Sequence, residues 1–167
     1  MLQRVLKRLQ FLFQSTNQHG VHSPFVYSYL TEGVYNTKKS YKGFQKKHRL
    51  LQATIEYFQV EKTLGKPKFP IYPSREKTKH HGKETYVNLH YIEAIETYTP
   101  ESLDRLTKSI DEHTILYIDS PYKSAKATEN WLALKENENF HVSIDFYIAG
   151  ILFTRKEQEK EHFALRV

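Results

Sequence analysis

Residues 113–137, HTILYIDSPYKSAKATENWLALKEN, change rhythm at their midpoint. Thr114 to Ile118 are apolar, aromatic or β-branched without a break, which reads as a buried strand ending on Asp119. Ser120 and Pro121 then interrupt, and the next residues carry Trp131, Leu132 and Leu134 at helical spacing. A strand that ends on an acid and hands the chain to a helix is one repeat of a layered α/β sheet.

The same alternation continues on both sides. Upstream, TYVNLHYIEAI predicts a strand around Val87–Ile92. TPESLDRLTKSI then opens a helix at Thr99 with a hydroxyl cap followed by proline, and carries Leu103, Leu106 and Ile110 on one side. Downstream, HVSIDFYIAGILFTRK predicts two strands hinged near Ala149-Gly150, forming a hairpin at one edge of the sheet. The charged KEQEKEHF predicts a helical tail before an extended LRV.

The N-terminal third is helical in pattern. Leu2, Val5, Leu6, Leu9, Leu12 and Phe13 recur at helical spacing with Arg4, Lys7 and Arg8 elsewhere, an amphipathic helix that packs on its own domain or lies on a membrane surface. Ser23-Pro24 is a second helix opening, with Phe25, Val26, Tyr29 and Leu30 on one face through about Tyr35. A third helix spans about Phe44–Phe58, with Leu50, Leu51, Thr54, Ile55 and Phe58 as its buried stripe. From Val60 to Lys83 three prolines, two glycines and many lysines predict a loop of about twenty residues.

With 167 residues the chain has the size of one domain, 1–167, divided into N-terminal helices (1–59), a basic loop (60–85) and an α/β core (86–167). No apolar run reaches the ~20 residues needed to span a bilayer, and charges inside MLQRVLKRLQFLF argue against a secretory signal, so a cytoplasmic protein is expected. Cysteine is absent, which excludes disulfides, thiolate zinc sites and iron-sulfur clusters. The net charge is +6, yet Lys38–Lys83 holds 13 Lys or Arg against 3 Glu, while the rest of the chain is slightly acidic. That segment is either a footprint for nucleic acid or phosphate or a solvated loop. Phe44, Tyr57, Phe58, Phe69 and Tyr72 interleave with the lysines, and Phe69 and Tyr72 are the two left free by helical packing to stack on bases.

Polar candidates are few. Asp119 ends a strand, and ligands of open α/β sheets bind outside the carboxyl ends of strands; with Ser120 it equally suits a helix cap. Glu93 and Glu96 close the preceding strand in the same way. Asp145 is expected at the polar edge of its strand. His19 and His22 lie in a turn; a zinc site there would need a third ligand from afar, such as His80 or His81, and backbone-bonded loop histidines, with no metal, are the expectation. No Gly-x-Ser-x-Gly elbow, Walker loop or His-Glu-x-x-His pattern occurs.

HGVHSPFVYSYL at His19–Leu30 and VSIDFYIAGILFTRKEQEKEHFALRV at Val142–Val167 together resemble class I S-adenosylmethionine-dependent methyltransferases of the Bacteroidetes type, over about Leu2–Leu64 and Tyr86–Val167. The resemblance implies N-terminal helices before a Rossmann-like sheet that ends in an antiparallel strand pair. The middle departs from it. Where the family has a glycine-rich Glu-x-Gly-x-x-x-Gly turn, this chain reads VEKTLGKPKFP, leaving Glu61 and Gly65 as echoes, and some tens of residues are missing between Leu64 and Tyr86. The family's acidic strand ends are replaced by YIEAIETY and IDSPYKS, with only Asp119 left as a match to one of those acids. What is implied is a reduced Rossmann-like sheet of about five strands, mainly parallel with an antiparallel C-terminal edge. The function implied first is a degenerate methyltransferase homologue, a pseudoenzyme without cofactor that acts as a binding or scaffold protein. The alternatives are an active methyltransferase holding S-adenosylmethionine with Glu61, Gly65, Glu93 and Asp119, its substrate mouth near His19, His22 and Ser23, and a basic nucleic-acid or phosphate-binding module at Lys38–Lys83. The shortened sheet also implies an exposed edge through which a homodimer would form.

Overall fold

A computed structural model describes residues 8–9, 11–13, 15–16, 20–36, 41, 43–72, 86 and 88–167. Six strands form one sheet in the order β1-β2-β3-β5-β4-β6. They are β1 (Lys62–Leu64), β2 (Asn88–Ile92), β3 (Thr114–Asp119), β4 (Val142–Asp145), β5 (Ala149–Phe153) and β6 (Glu161–Ala164). Parallel pairing joins β1 to β2, β2 to β3, and β4 to β6. β5 runs antiparallel to both β3 and β4 and lies between them, so the antiparallel pairing is confined to the C-terminal side of the sheet. Consequently β1, β2, β3, β4 and β6 all end at the same side of the sheet, and β5 begins there.

Among the described residues the helices that cover the two faces are α1 (Pro24–Ser28), α2 (Lys46–Tyr57), α3 (Pro100–Ser109) and α4 (Ala125–Glu136). Their starts follow the sequence cues. Ser23 Oγ accepts from Val26 N at 3.5 Å with Pro24 in the first turn, and Thr99 Oγ1 accepts from Ser102 N at 3.3 Å ahead of Pro100. Ser124 Oγ, at 3.0 Å from Ala127 N, caps α4, so the cap is Ser124 and not Asp119 with Ser120. α1 runs on as a π-turn over Tyr29–Val34, where Gly33 lies against the Tyr57 ring of α2; a Cβ on Gly33 would stand 3.1 Å from that ring.

The two cores are written into the period-2 alternation of β3, all of whose residues are buried. Ile115 and Tyr117 face α1 and α2, in a core with Tyr29, Leu51, Phe58 and Phe153. Leu116 and Ile118 face α3 and α4, in a core with Leu103, Leu106, Trp131 and Leu134. At Gly150 of β5 the Trp131 ring packs where a side chain would begin, with a Cβ meeting it at 2.5 Å.

The structure corrects several expectations. The sheet has six strands rather than about five, because Lys62–Leu64, inside the segment expected to be loop, pairs with β2. The hinge between the last two core strands falls at 146–148, before Ala149, because Tyr147 takes the left-handed turn at φ 64. KEQEKEHF forms no helix: residues 156–158 turn and β6 follows, since the parallel ladder to β4, with Ser143 Oγ 2.7 Å from His162 Nδ1, outweighs the weak helical tendency of an exposed charged run. β6 therefore lies outside the hairpin. Among the described residues no helix is long and apolar enough to cross a membrane.

Candidate functional site

The common end of the parallel strands collects the polar side chains that the chain can least easily bury. Asp119, at the tip of β3, is 6% exposed. Its Oδ1 receives Lys47 Nζ at 2.6 Å and Ser120 Oγ at 2.7 Å, and its Oδ2 receives the Tyr91 hydroxyl at 2.8 Å. Lys47 also reaches Ser120 Oγ, which makes Lys47, Asp119 and Ser120 a closed triangle. Burial pushes the Asp119 carboxyl upward, but the Lys47 ammonium with the Ser120 and Tyr91 donors overrides it and holds the group below its ordinary value. Tyr91 is driven the other way by burial and by the Asp119 charge.

Two more acids follow β2, and each meets a lysine. Lys68 Nζ lies 2.8 Å from Glu93 Oε1. Lys123 Nζ lies 2.8 Å from Glu96 Oε1 and 2.9 Å from the Glu93 carbonyl, tying the start of α4 to the end of β2. For Glu96 burial raises the carboxyl, and the Lys123 contact more than reverses it.

A second carboxylate stands two strands away, at the end of β4. Asp145 is 3% exposed, and Tyr122 Oη and Trp131 Nε1 donate to its Oδ2, the latter at 3.1 Å, while Tyr147 N donates to Oδ1 at 2.8 Å. All of these donors are neutral, so burial prevails and its carboxyl is raised above the ordinary value. Tyr122 and Tyr147 stack at 5.0 Å and 11° above it, and Phe11 packs on Tyr147 at 5.4 Å. Both carboxylates adjoin a left-handed non-glycine residue, Ser120 at φ 54 and Tyr147 at φ 64. Ser120 N donates to Ile148 O at 3.0 Å, which joins the two turns.

Gly65–Tyr72 crosses this end and is clamped to α2. Gly65 has φ +94, and a Cβ there would stand 2.3 Å from the Tyr91 carbonyl, so only glycine lets the chain leave β1 against β2. His48, buried on α2, donates from Nε2 to Pro70 O at 2.7 Å and stacks with Phe44 at 4.3 Å and with Phe69 at 5.1 Å. Gln52 closes the clamp on the backbone of Tyr72, donating to its carbonyl at 2.8 Å and accepting from its N–H at 3.1 Å.

Gly65, Glu93 and Asp119 are thus brought together, and the other candidates are not. Glu61 precedes β1, so it lies exposed at the opposite end of the strands from Asp119. Ser23 Oγ takes a hydrogen bond from Gln158 Nε2 at 3.1 Å; Gln158 follows the far end of β5, which places Ser23 and the exposed His22 away from Asp119. His19, His80 and His81 lie outside the described residues, and among the described residues no group of three His, Asp or Glu is arranged to hold a metal. Phe69 and Tyr72 serve the clamp, and Tyr57 and Phe58 pack in and against the α1–α2 core. A cleft of about 490 Å³, lined among others by His113, Asn139, Thr154 and Lys156, opens at the far end and contains none of the sequence candidates. The buried Asp145 cluster was missed because neighbouring apolar residues gave it the look of a strand edge. The one available signal was Asp145 itself, an acid closing an otherwise apolar strand beside Phe146 and Tyr147.

Chemically the arrangement is a self-neutralised lattice. The acids after β2 and β3 each carry an internal ammonium partner, and Lys47 serves Asp119 as counter-ion instead of acting as a base for the Ser120 hydroxyl. Comparison with protein-family models, with curated proteins and with solved structures finds no match.

Proposed function

We propose that the chain is a shortened, catalytically silent relative of the class I S-adenosylmethionine-dependent methyltransferases and works as a binding or scaffold protein. The observation that carries the reading is the state of the strand ends. Glu93 and Asp119, the acids best placed to meet a cofactor's hydroxyls, are engaged by Lys68 and Lys47, and Gly65–Tyr72 is clamped over the same end. Gly65 gives its freedom to close contact with the Tyr91 carbonyl, and Glu61 stands at the other end of β1. On this reading the strand-end residues serve one another and not a cofactor. The reversed β5 within an otherwise parallel sheet agrees with the resemblance drawn from the sequence.

Calorimetric titration of the full chain with S-adenosylmethionine and S-adenosylhomocysteine, beside a thermal scan, tests this. The expected result is no saturable heat and no shift in melting. Saturable binding near 1 μM, about −8 kcal/mol, overturns it in favour of an active enzyme, with Glu93 and Asp119 the first residues to replace. The nucleic-acid reading draws less support, because Lys47 and Lys68 spend their charge on Asp119 and Glu93, and Phe69 is stacked on His48. Self-association belongs to the scaffold reading: β1 ends the sheet with β2 as its neighbour, an edge that a second copy would pair with, and the mass in solution by light scattering reads it directly.

A further inference from the structure

The end of the sheet opposite Asp119 is open. Its cleft of about 490 Å³ is walled by the last turn of α3 and the turn into β3, by Asn139 ahead of β4, and by Thr154 and Lys156 after β5. That volume lies in the range that seats a small organic molecule. Ile110 is the one apolar residue on these walls, so the occupant they suit is polar. Thr154 continues β5 beyond Phe153 on the face that carries Leu152, the side covered by α3 and α4. It is 3% exposed, and its hydroxyl is buried without a hydrogen-bond partner, a state shared among the described residues by Glu96 Oε2. Such a group costs the fold stability until something satisfies it.

The walls carry both signs of charge, and the signs come from different elements. The turn between α3 and β3 supplies Asp111 and Glu112. Asp111 Oδ1 is taken by Thr114 Oγ1 at 2.5 Å and by His113 N at 3.1 Å, which leaves Oδ2 to accept from a visitor. Glu112 is three-quarters exposed, 3.7 Å from His113 Nε2. The carbonyl end of α3 on the same wall also favours positive charge, and Lys108 of its last turn is drawn away to Asp104 at 2.8 Å. On the β5 side Lys156 is exposed and forms no ion pair among the described residues. A ligand of one charge would satisfy one wall and meet its own sign on the other. A zwitterion satisfies both.

We propose that this cleft binds a small zwitterion of the amino-acid or short-peptide class, its ammonium at Asp111 and Glu112 and its carboxylate at Lys156. The Thr154 hydroxyl, brought round by a staggered turn of its side chain, takes a further polar atom of the ligand. The site lies at the opposite end of the strands from the Lys47–Asp119 pair, so it stands whichever way that end is read.

The test is calorimetric titration of the full chain with triglycine, N-acetyl-triglycine, triglycinamide and the free amino acids one by one. Saturable binding of triglycine or of a free amino acid is expected, weakened roughly fivefold when either end is blocked. Glu112→Gln and Lys156→Gln change exposed side chains, so each should melt like the parent while weakening binding by a similar factor. Thr154→Val removes the unpartnered hydroxyl, so the free chain should melt higher than the parent and bind more weakly. No binding by triglycine or by any amino acid overturns the proposal, as does equal binding of the blocked forms. Binding that none of the three variants reduces overturns it too, because the ligand would then sit elsewhere. S-adenosylmethionine itself ends in an amino acid, so any heat it gives is assigned by Lys156→Gln, which lowers it if this cleft is where it binds and leaves it unchanged if the strand ends are.

Discussion

Lys47 Nζ lies 2.6 Å from Asp119 Oδ1, a bond between residues 72 positions apart that ties the first turn of α2 to the last residue of β3. The acid side of the pair is nearly enclosed and the lysine is about one-third exposed, so the interaction is worth more than a surface ion pair and less than a fully dry one. Lys47→Met should cost about 1–2 kcal/mol, chiefly by leaving Asp119 without its counter-ion. Adding Asp119→Asn to that variant should recover part of the loss, and urea unfolding of the two single variants and the double variant measures the coupling. Because the Asp119 carboxyl is lowered in the folded state, its stabilisation is full above the ordinary Asp value of about 3.9 and disappears as pH falls through the lowered one. The parent should lose this increment on acidification and Lys47→Met should not.

Asp145 behaves oppositely. Its carboxyl is raised by burial, so the folded chain holds the proton more tightly than the unfolded one. Its contribution is therefore most favourable below the ordinary Asp value and declines as pH climbs through the raised one. Asp145→Asn removes that decline. It also turns an amide N–H toward either Tyr147 N or the Trp131 indole, because both carboxylate oxygens accept hydrogen bonds. A loss of about 1–3 kcal/mol at low pH, shrinking as pH rises, is expected from denaturant midpoints across the acid range. A loss independent of pH would sink the account of Asp145 as a buried, proton-retaining group.

The clamp on Gly65–Tyr72 gives a local readout. Gln52→Ala removes both bonds to the Tyr72 backbone while leaving α2 a good helix former. Global stability should fall by about 1–2 kcal/mol, and protease cleavage within residues 65–72 should accelerate by a larger factor than global unfolding accounts for. Proteolysis that tracks global stability alone would mean that the segment and the sheet open as one unit.

Much of the architecture was legible in local chemistry. Ser23-Pro24 and Thr99-Pro100 announced their helices, and the unbroken apolar run ending at Asp119 announced the central strand. What the chain concealed depends on distant partners. β1 is three residues long and exists because β2 lies beside it, and the charged segment before Phe163 becomes β6 because β4 offers a ladder. The same holds at the strand ends. Asp119 was visible as an acid after a strand, but its partners come from α2 and β2, and the lysines that looked like a free basic surface proved in part to be counter-ions. The resemblance made Glu61 and Gly65 echoes of one glycine-rich turn, yet a strand lies between them and sends them to opposite ends.

The close contact of Gly150 with Trp131 offers the sharpest packing test. Trp131 is fully buried, its indole N–H is committed to Asp145, and its ring fills the space above β5 that a side chain at position 150 would use. In Gly150→Ala the new methyl would stand 2.5 Å from the ring, so either the ring or the strand must move. Moving the ring breaks its bond to Asp145; moving β5 disturbs its ladders to β3 and β4. A cost of about 1–3 kcal/mol is expected, with a shift in Trp131 fluorescence as the indole leaves its place. Trp131→Phe should relieve most of the clash, so the double variant should be less destabilised than the sum of the two single changes. Strict additivity in thermal unfolding would show that Gly150 is required for the strand itself and not for the ring above it.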